Sequence, residues 1–141
     1  MKIKRFEDLQ AWQEARRLVN MVYKAINDSE KFRKDFTLKN QTTDAAISAM
    51  SNIAEGFARH SNKEFVQFLF ISKASAAEVQ SLFYVALDQN YVSTEVFQTV
   101  YQQAEKVSKI DSGLITYLLS KKSQPNKPNK PNKLNKPNKP K

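Results

Sequence analysis

The first 120 residues contain no proline and only two glycines, Gly56 and Gly113. The residues that most often end a helix are nearly absent from the stretch that can fold, so helix is favoured throughout it. The apolar spacing agrees. Phe6, Leu9, Trp12, Val19, Val22, Tyr23 and Ile26 recur at three- and four-residue steps, and Asn27-Asp28-Ser29-Glu30-Lys31 interrupts them. Thr37 reads as an N-cap ahead of Leu38, opening a second helix through Ala45, Ala46, Ala49, Ile53 and Phe57. Ser61-Asn62-Lys63-Glu64 is a capping box that starts a third helix reaching Gln89-Asn90. A fourth starts near Ser93 or Thr94 and carries Phe97, Val100, Tyr101, Ala104, Val107, Leu114, Ile115 and Leu118. Four helices with short connections predict an all-α chain folded as an antiparallel up-down four-helix bundle over residues 1–120.

All five prolines lie at 125, 128, 131, 137 and 140, in a Pro-Asn-Lys repeat of period three. Such a segment builds no core, so residues 121–141 are expected to be a disordered tail. In a polyproline II helix its lysines, Lys127, Lys130 and Lys133 among them, would line one edge as a cationic ruler for phosphates. The bland alternative is a low-complexity extension with no specific task. The tail also explains the charge. The chain has 23 basic and 14 acidic residues, a net charge of +9, and eight of the lysines and none of the acids lie at 121–141. The part expected to fold is nearly neutral.

Composition excludes several chemistries. With no cysteine there is no disulfide, thiolate metal site or thiol nucleophile. One histidine, His60, gives no His-rich metal centre, and two glycines give no phosphate-cradling loop. His60 lacks the Glu three residues earlier that di-iron bundles use and sits directly beside its nearest arginine, Arg59. The expectation is a protein with no catalytic residues and no cofactor. No signal peptide and no apolar run of membrane-spanning length is visible, so a cytoplasmic location without membrane contact is expected.

The third helix is too apolar for a lone bundle. Phe65, Val66, Phe68, Leu69, Phe70 and Ile71 fill six of seven positions, and Leu82–Leu87 is apolar apart from the Tyr84 hydroxyl. Apolar residues around a whole helix imply burial on more than one side, so self-association is expected, with Phe65, Phe68, Phe70, Ile71 and Phe83 as interface candidates. Small residues dominate the second helix (Ala45, Ala46, Ser48, Ala49, Ser51, Ala54, Gly56, Ala58), and Ser72, Ala74, Ser75, Ala76 and Ala77 match them on the third. Two axes can approach closely there. Asn52 and Glu55, mid-helix among those small residues, read either as a ligand or partner site with Arg59 or Lys73, Ser48 and Ser75, or as a buried polar network fixing helix register. Arg16 and Arg17, Arg33, Lys34 and Lys39, and Arg59 and Lys63 are surface bases that an oligomer would repeat against a polyanion.

The run Phe6-Glu7-Asp8-Leu9, Trp12-Gln13, Ala15-Arg16, then Ser48, Asn52-Ile53-Ala54-Glu55-Gly56-Phe57, Arg59, Ser61, Lys63-Glu64-Phe65, Phe68-Leu69, then Ser75 and Glu78, resembles the four-helix proteins encoded in intervening sequences of bacterial 23S rRNA genes. The resemblance covers residues 3–120. It implies a four-helix bundle assembling as a homo-oligomeric ring, typically a pentamer, of unassigned biochemical role. A more distant likeness of fold, to the accessory protein of diversity-generating retroelements, implies RNA or DNA and a nucleic-acid enzyme as partners. The chain departs from the family pattern at Gln41-Thr42-Thr43-Asp44, where a basic pair is usual, at Met50 for a common proline, and at Lys73-Ala74 for Arg-Gly. It departs again at Asp111, on the apolar stripe of the fourth helix. The lost basic pair weakens a nucleic-acid role for the ring itself. Asp111 suggests a wet or polar lumen there, or an N-terminal partner such as Lys2, Lys4 or Arg5. The reading is a non-catalytic oligomeric interaction or scaffold module that binds RNA or another nucleic acid. Its alternative is a purely structural or vestigial protein of a mobile rRNA insertion, with no ligand.

Overall fold

The computed structural model of the protein describes residues 3–122; the Pro-Asn-Lys tail, with Lys127, Lys130 and Lys133, lies outside the described residues, as does Lys2. Among the described residues every regular element is helical. A single 3-10 turn over Phe6–Asp8 precedes α1 (Gln10–Asn27), α2 (Glu30–Lys34), α3 (Phe36–Phe57), α4 (Asn62–Asp88) and α5 (Thr94–Lys122). The four long helices are those the apolar spacing predicts. The short α2 is an addition.

Local chemistry places the boundaries. Ser29 caps α2 by accepting from the Phe32 N–H at 3.2 Å, and the fully buried Phe32 ring anchors this one-turn helix. Asp35, not Thr37, caps α3: its Oδ1 accepts from the Leu38 N–H at 3.1 Å. Its other oxygen receives the Tyr91 hydroxyl at 2.9 Å, and that distant contact favours Asp35 over the threonine. Ser61 caps α4 as expected, accepting from the Glu64 N–H at 3.2 Å. Ser93 accepts from the Val96 N–H and starts α5. At the far end of α4 the Tyr91 N–H reaches the Ala86 carbonyl and the Asn90 N–H the Leu87 carbonyl, a Schellman closure. It requires Asn90 at φ 64°, a left-handed conformation that asparagine tolerates better than most residues.

α1 packs on α3 and α5, α3 on α4, and α4 on α5, so the long helices enclose one core. α1 turns Ala11, Ala15, Leu18, Val22, Ala25 and Ile26 inward, while Tyr23 is exposed and Trp12 and Val19 are half-buried. The buried stripe is thus rotated from the one its large residues suggested, because alanines fill the close contacts. α4 and α5 run antiparallel: Ser72 meets Asp111, Gln80 meets Tyr101 and Glu105, and Tyr84 stacks near Phe97. The last turns of α5 therefore lie at the end where α4 begins.

Candidate functional site

The small residues of α3 and α4 do face one another. Ser48 Oγ lies 2.8 Å from Ser75 Oγ, and Asn52 Nδ2 donates to both the Ser48 carbonyl and Ser48 Oγ at 2.9 Å. Gly56 is buried where α4 crosses: a Cβ there would stand 2.6 Å from Phe68 Cβ and 2.9 Å from Phe65 Cδ1. The helices approach too closely for any side chain at that position. Asn52, Gly56 and Ser75 thus belong to one α3–α4 seam. Glu55 does not: it is exposed, and pairs along its own helix with Arg59 at 3.2 Å. The expected partnership of Asn52 with Glu55 is not formed, because the two point to different sides of α3.

Beside this seam lies a second polar group. Asp111 is fully buried, and its Oδ2 stands 2.6 Å from Ser72 Oγ, which is also 2.9 Å from the Ala49 carbonyl. Asp111 Oδ1 has no hydrogen-bond partner. Burial pushes the Asp111 carboxyl up to about 7, against the lowering effect of Ser72 and of the Lys73 charge. The expected N-terminal partner is not Arg5, which pairs with Glu7 and Asp8. Full burial of Asp111 excludes the open, wet form of the expectation, and the polar contact is Ser72.

A buried carboxylate that the sequence did not single out sits on α1. Glu14 Oε1 accepts from Gln103 Nε2 at 2.9 Å, and the same amide donates to the Glu14 carbonyl at 2.8 Å. Lys106 stands 3.5 Å away and Arg17 3.9 Å. The Gln103 hydrogen bond, aided by both cations, holds the carboxyl below its ordinary range despite burial. The signal was present: Glu14 falls four residues before Leu18 and eight before Val22, on the inward stripe.

Of the basic candidates, Arg16, Arg17 and Arg59 have local partners. Arg16 lies over the Trp12 ring, 5.7 Å from its centroid, and Arg17 is the partner of Glu14. Arg59 covers the Phe68 ring at 4.7 Å while paired with Glu55. Lys63 is exposed in the first turn of α4. Arg59 and Lys63 flank the α3–α4 turn, at the end toward which α5 runs; Arg16 and Arg17 form a separate group on α1. His60 is exposed at the same turn.

Of the five apolar interface candidates, Phe65 and Phe83 are buried inside the protomer and cannot reach another molecule without unfolding. Their rings pack on Phe57 and Phe32 respectively. Phe68 is half-buried under Arg59. Phe70 and Ile71 face outward, 52% and 45% exposed. With them runs a longer stripe: Phe70, Ala74, Ala77, Ser81 and Tyr84 are all exposed and follow a four-three-four-three spacing, with Ile71 and Val85 beside them. Over this length the outer face of α4 carries one charged residue, Glu78, and Lys73 is half-buried.

No helix among the described residues is long and apolar enough to cross a membrane. The 23S rRNA-intervening sequence protein family matches residues 7–113. A crystal structure of a protein of unknown function from the S23 ribosomal protein family of Bacteroides thetaiotaomicron superposes with a TM-score of 0.63. It shares 21% identity and covers 74% of this chain and 94% of its own. No curated protein matches the sequence.

Proposed function

The chain belongs to the 23S rRNA-intervening sequence protein family, and from that premise we propose that it acts without catalysis, as an oligomeric interaction module. In this reading the four long helices form an antiparallel up-down bundle. Copies join through the outer face of α4 into a ring, and the ring presents basic ends to RNA. The observation that carries the reading is the exposed α4 stripe, whose face carries Glu78 as its one exposed charge. Its spacing is that of a helix-pairing seam, with small residues at the centre for close approach and aromatic residues at the ends. In a chain that is 26% charged, an exposed helix face with so few charges fits a second protein surface better than water. RNA is supported by charge placement. α5 ends near Arg59 and Lys63, and residues 123–141 add six lysines and no acid.

One set of measurements tests both parts. Sedimentation of the full chain at micromolar concentration is expected to give a particle several times the 16.2 kDa protomer. Phe70→Glu should return it to monomers with little change in unfolding, since that ring is already half exposed. A wild-type monomer refutes the ring. RNA binding should weaken steeply with salt, log affinity falling by about 0.7 per phosphate contact on single strands. Lys127, Lys130 and Lys133 changed together to Gln should flatten that slope, and Arg59→Glu with Lys63→Glu should remove the remainder. No binding even near about 50 mM salt removes RNA from the proposal and leaves a scaffold alone.

A further inference from the structure

Ser72 has one hydroxyl proton and two acceptors: the Ala49 carbonyl at 2.9 Å and Asp111 Oδ2 at 2.6 Å. Were Asp111 ionised, the proton could satisfy the carboxylate only by leaving the carbonyl. The charge would then rest on a single hydrogen bond, fully buried, with Oδ1 unpartnered and no ion pair. A carboxylate so placed is costly. A protonated carboxyl resolves the arrangement. Its O–H donates to Ser72 Oγ, Ser72 donates to the Ala49 carbonyl, and the remaining oxygen is a neutral carbonyl, far cheaper to leave bare. We infer that Asp111 is held in the folded protein as a neutral acid, the first donor of a chain running from α5 through α4 to α3, and that its ionisation loosens this three-helix junction. The chain is therefore built to weaken as pH rises from the acid side toward neutrality.

The surroundings give the charge too little relief to offset burial. On α4 the charged neighbour is Lys73, one residue from Ser72 but half-buried on another side; it acts on Asp111 by charge alone, without a hydrogen bond. α3 presents the Ala49 carbonyl, and its flanking acids, Asp44 and Glu55, are exposed. On α5 itself Lys109 is exposed. Toward the N-terminus Glu7 and Asp8 are engaged with Arg5. The carboxyl value of about 7, against an ordinary 3.8, agrees with the geometry. Because the folded value is the higher one, this group's contribution is complete below the ordinary value and is lost as pH rises toward about 7.

The test is the pH dependence of urea unfolding for the full chain and for Asp111→Asn. The amide keeps a donor for Ser72 and cannot ionise. Between the ordinary and the folded values the wild-type unfolding constant should rise, relative to that of the variant, by about tenfold for each pH unit. The variant should lack this component. Equal pH dependence in the two proteins overturns the inference. A second measurement needs no variant: the carboxyl carbon resonances of the wild type should include one titrating near 7. If all titrate in the ordinary carboxylate range, Asp111 is ionised in the folded protein and the inference fails.

Discussion

Glu14 and Asp111 are both carboxyl groups turned into the helical core, yet their surroundings drive them in opposite directions. Glu14, in the α1–α5 seam, receives an amide from Gln103 and faces Lys106 and Arg17. Asp111, at the α3–α4–α5 junction, meets one hydroxyl. Burial is common to both, so burial does not decide the outcome; the supply of donors and cations does. The two seams consequently respond to pH with opposite signs. Glu14 has a lowered folded value, so its stabilisation is present above the ordinary 4.5 and disappears as pH falls through the folded value. For Asp111 the loss comes as pH rises.

Removing the donor that distinguishes Glu14 should have the largest effect. Gln103→Leu strips the strongest hydrogen bond from a charged, buried carboxylate and is expected to cost about 1.5–3 kcal/mol at neutral pH in urea unfolding. The cost should shrink on acidification, as Glu14 protonates. A cost unchanged at acid pH would show that Gln103 does not discriminate charged from neutral Glu14. Next is the close approach of the other seam. Gly56→Ala forces a Cβ against Phe68 Cβ, an atom fixed to the α4 backbone, and should cost about 1–3 kcal/mol by pushing the helices apart. A neutral result would mean that α3 and α4 separate without penalty. The smallest change has the opposite sign. Gly113 lies within α5 with nothing within 4 Å of its would-be Cβ, so Gly113→Ala should stabilise by up to about 1 kcal/mol. Destabilisation there would place a neighbour on the open side of α5.

The helices and their caps were legible wherever the determining chemistry was local. Ser61-x-x-Glu64 needs only residues in contact along the chain, and the Ser93 cap likewise. Asp35 was not legible as the α3 cap, because what favours it over Thr37 is a hydroxyl 56 residues away. The pairing of small residues on α3 and α4 could be read from composition alone, since small side chains allow few other arrangements. The partners of Asp111 and Glu14 could not. Asp111 stood out as a charge on an apolar stripe, but its environment depends on which residue of another helix lies opposite. A one-turn change in register would replace Ser72 by an alanine (Ala76) and leave the carboxyl with nothing. Phe65 and Phe83 show the same limit. A helix apolar on all sides does not announce which of its residues the protomer's own core takes, and here it takes Phe65 and Phe83.

The α1–α5 seam joins Glu14 to Gln103 across 89 residues of chain, whereas the contacts between α3 and α4 and between α4 and α5 join segments that follow one another, Ser48 with Ser75 across 27 and Gln80 with Glu105 across 25. Loop closure makes the nearer contacts the easier ones to form. Among the described helices α1 precedes α5 in the chain, so during synthesis Glu14 meets the Gln103 amide and the Lys106 ammonium group only once α5 has been made.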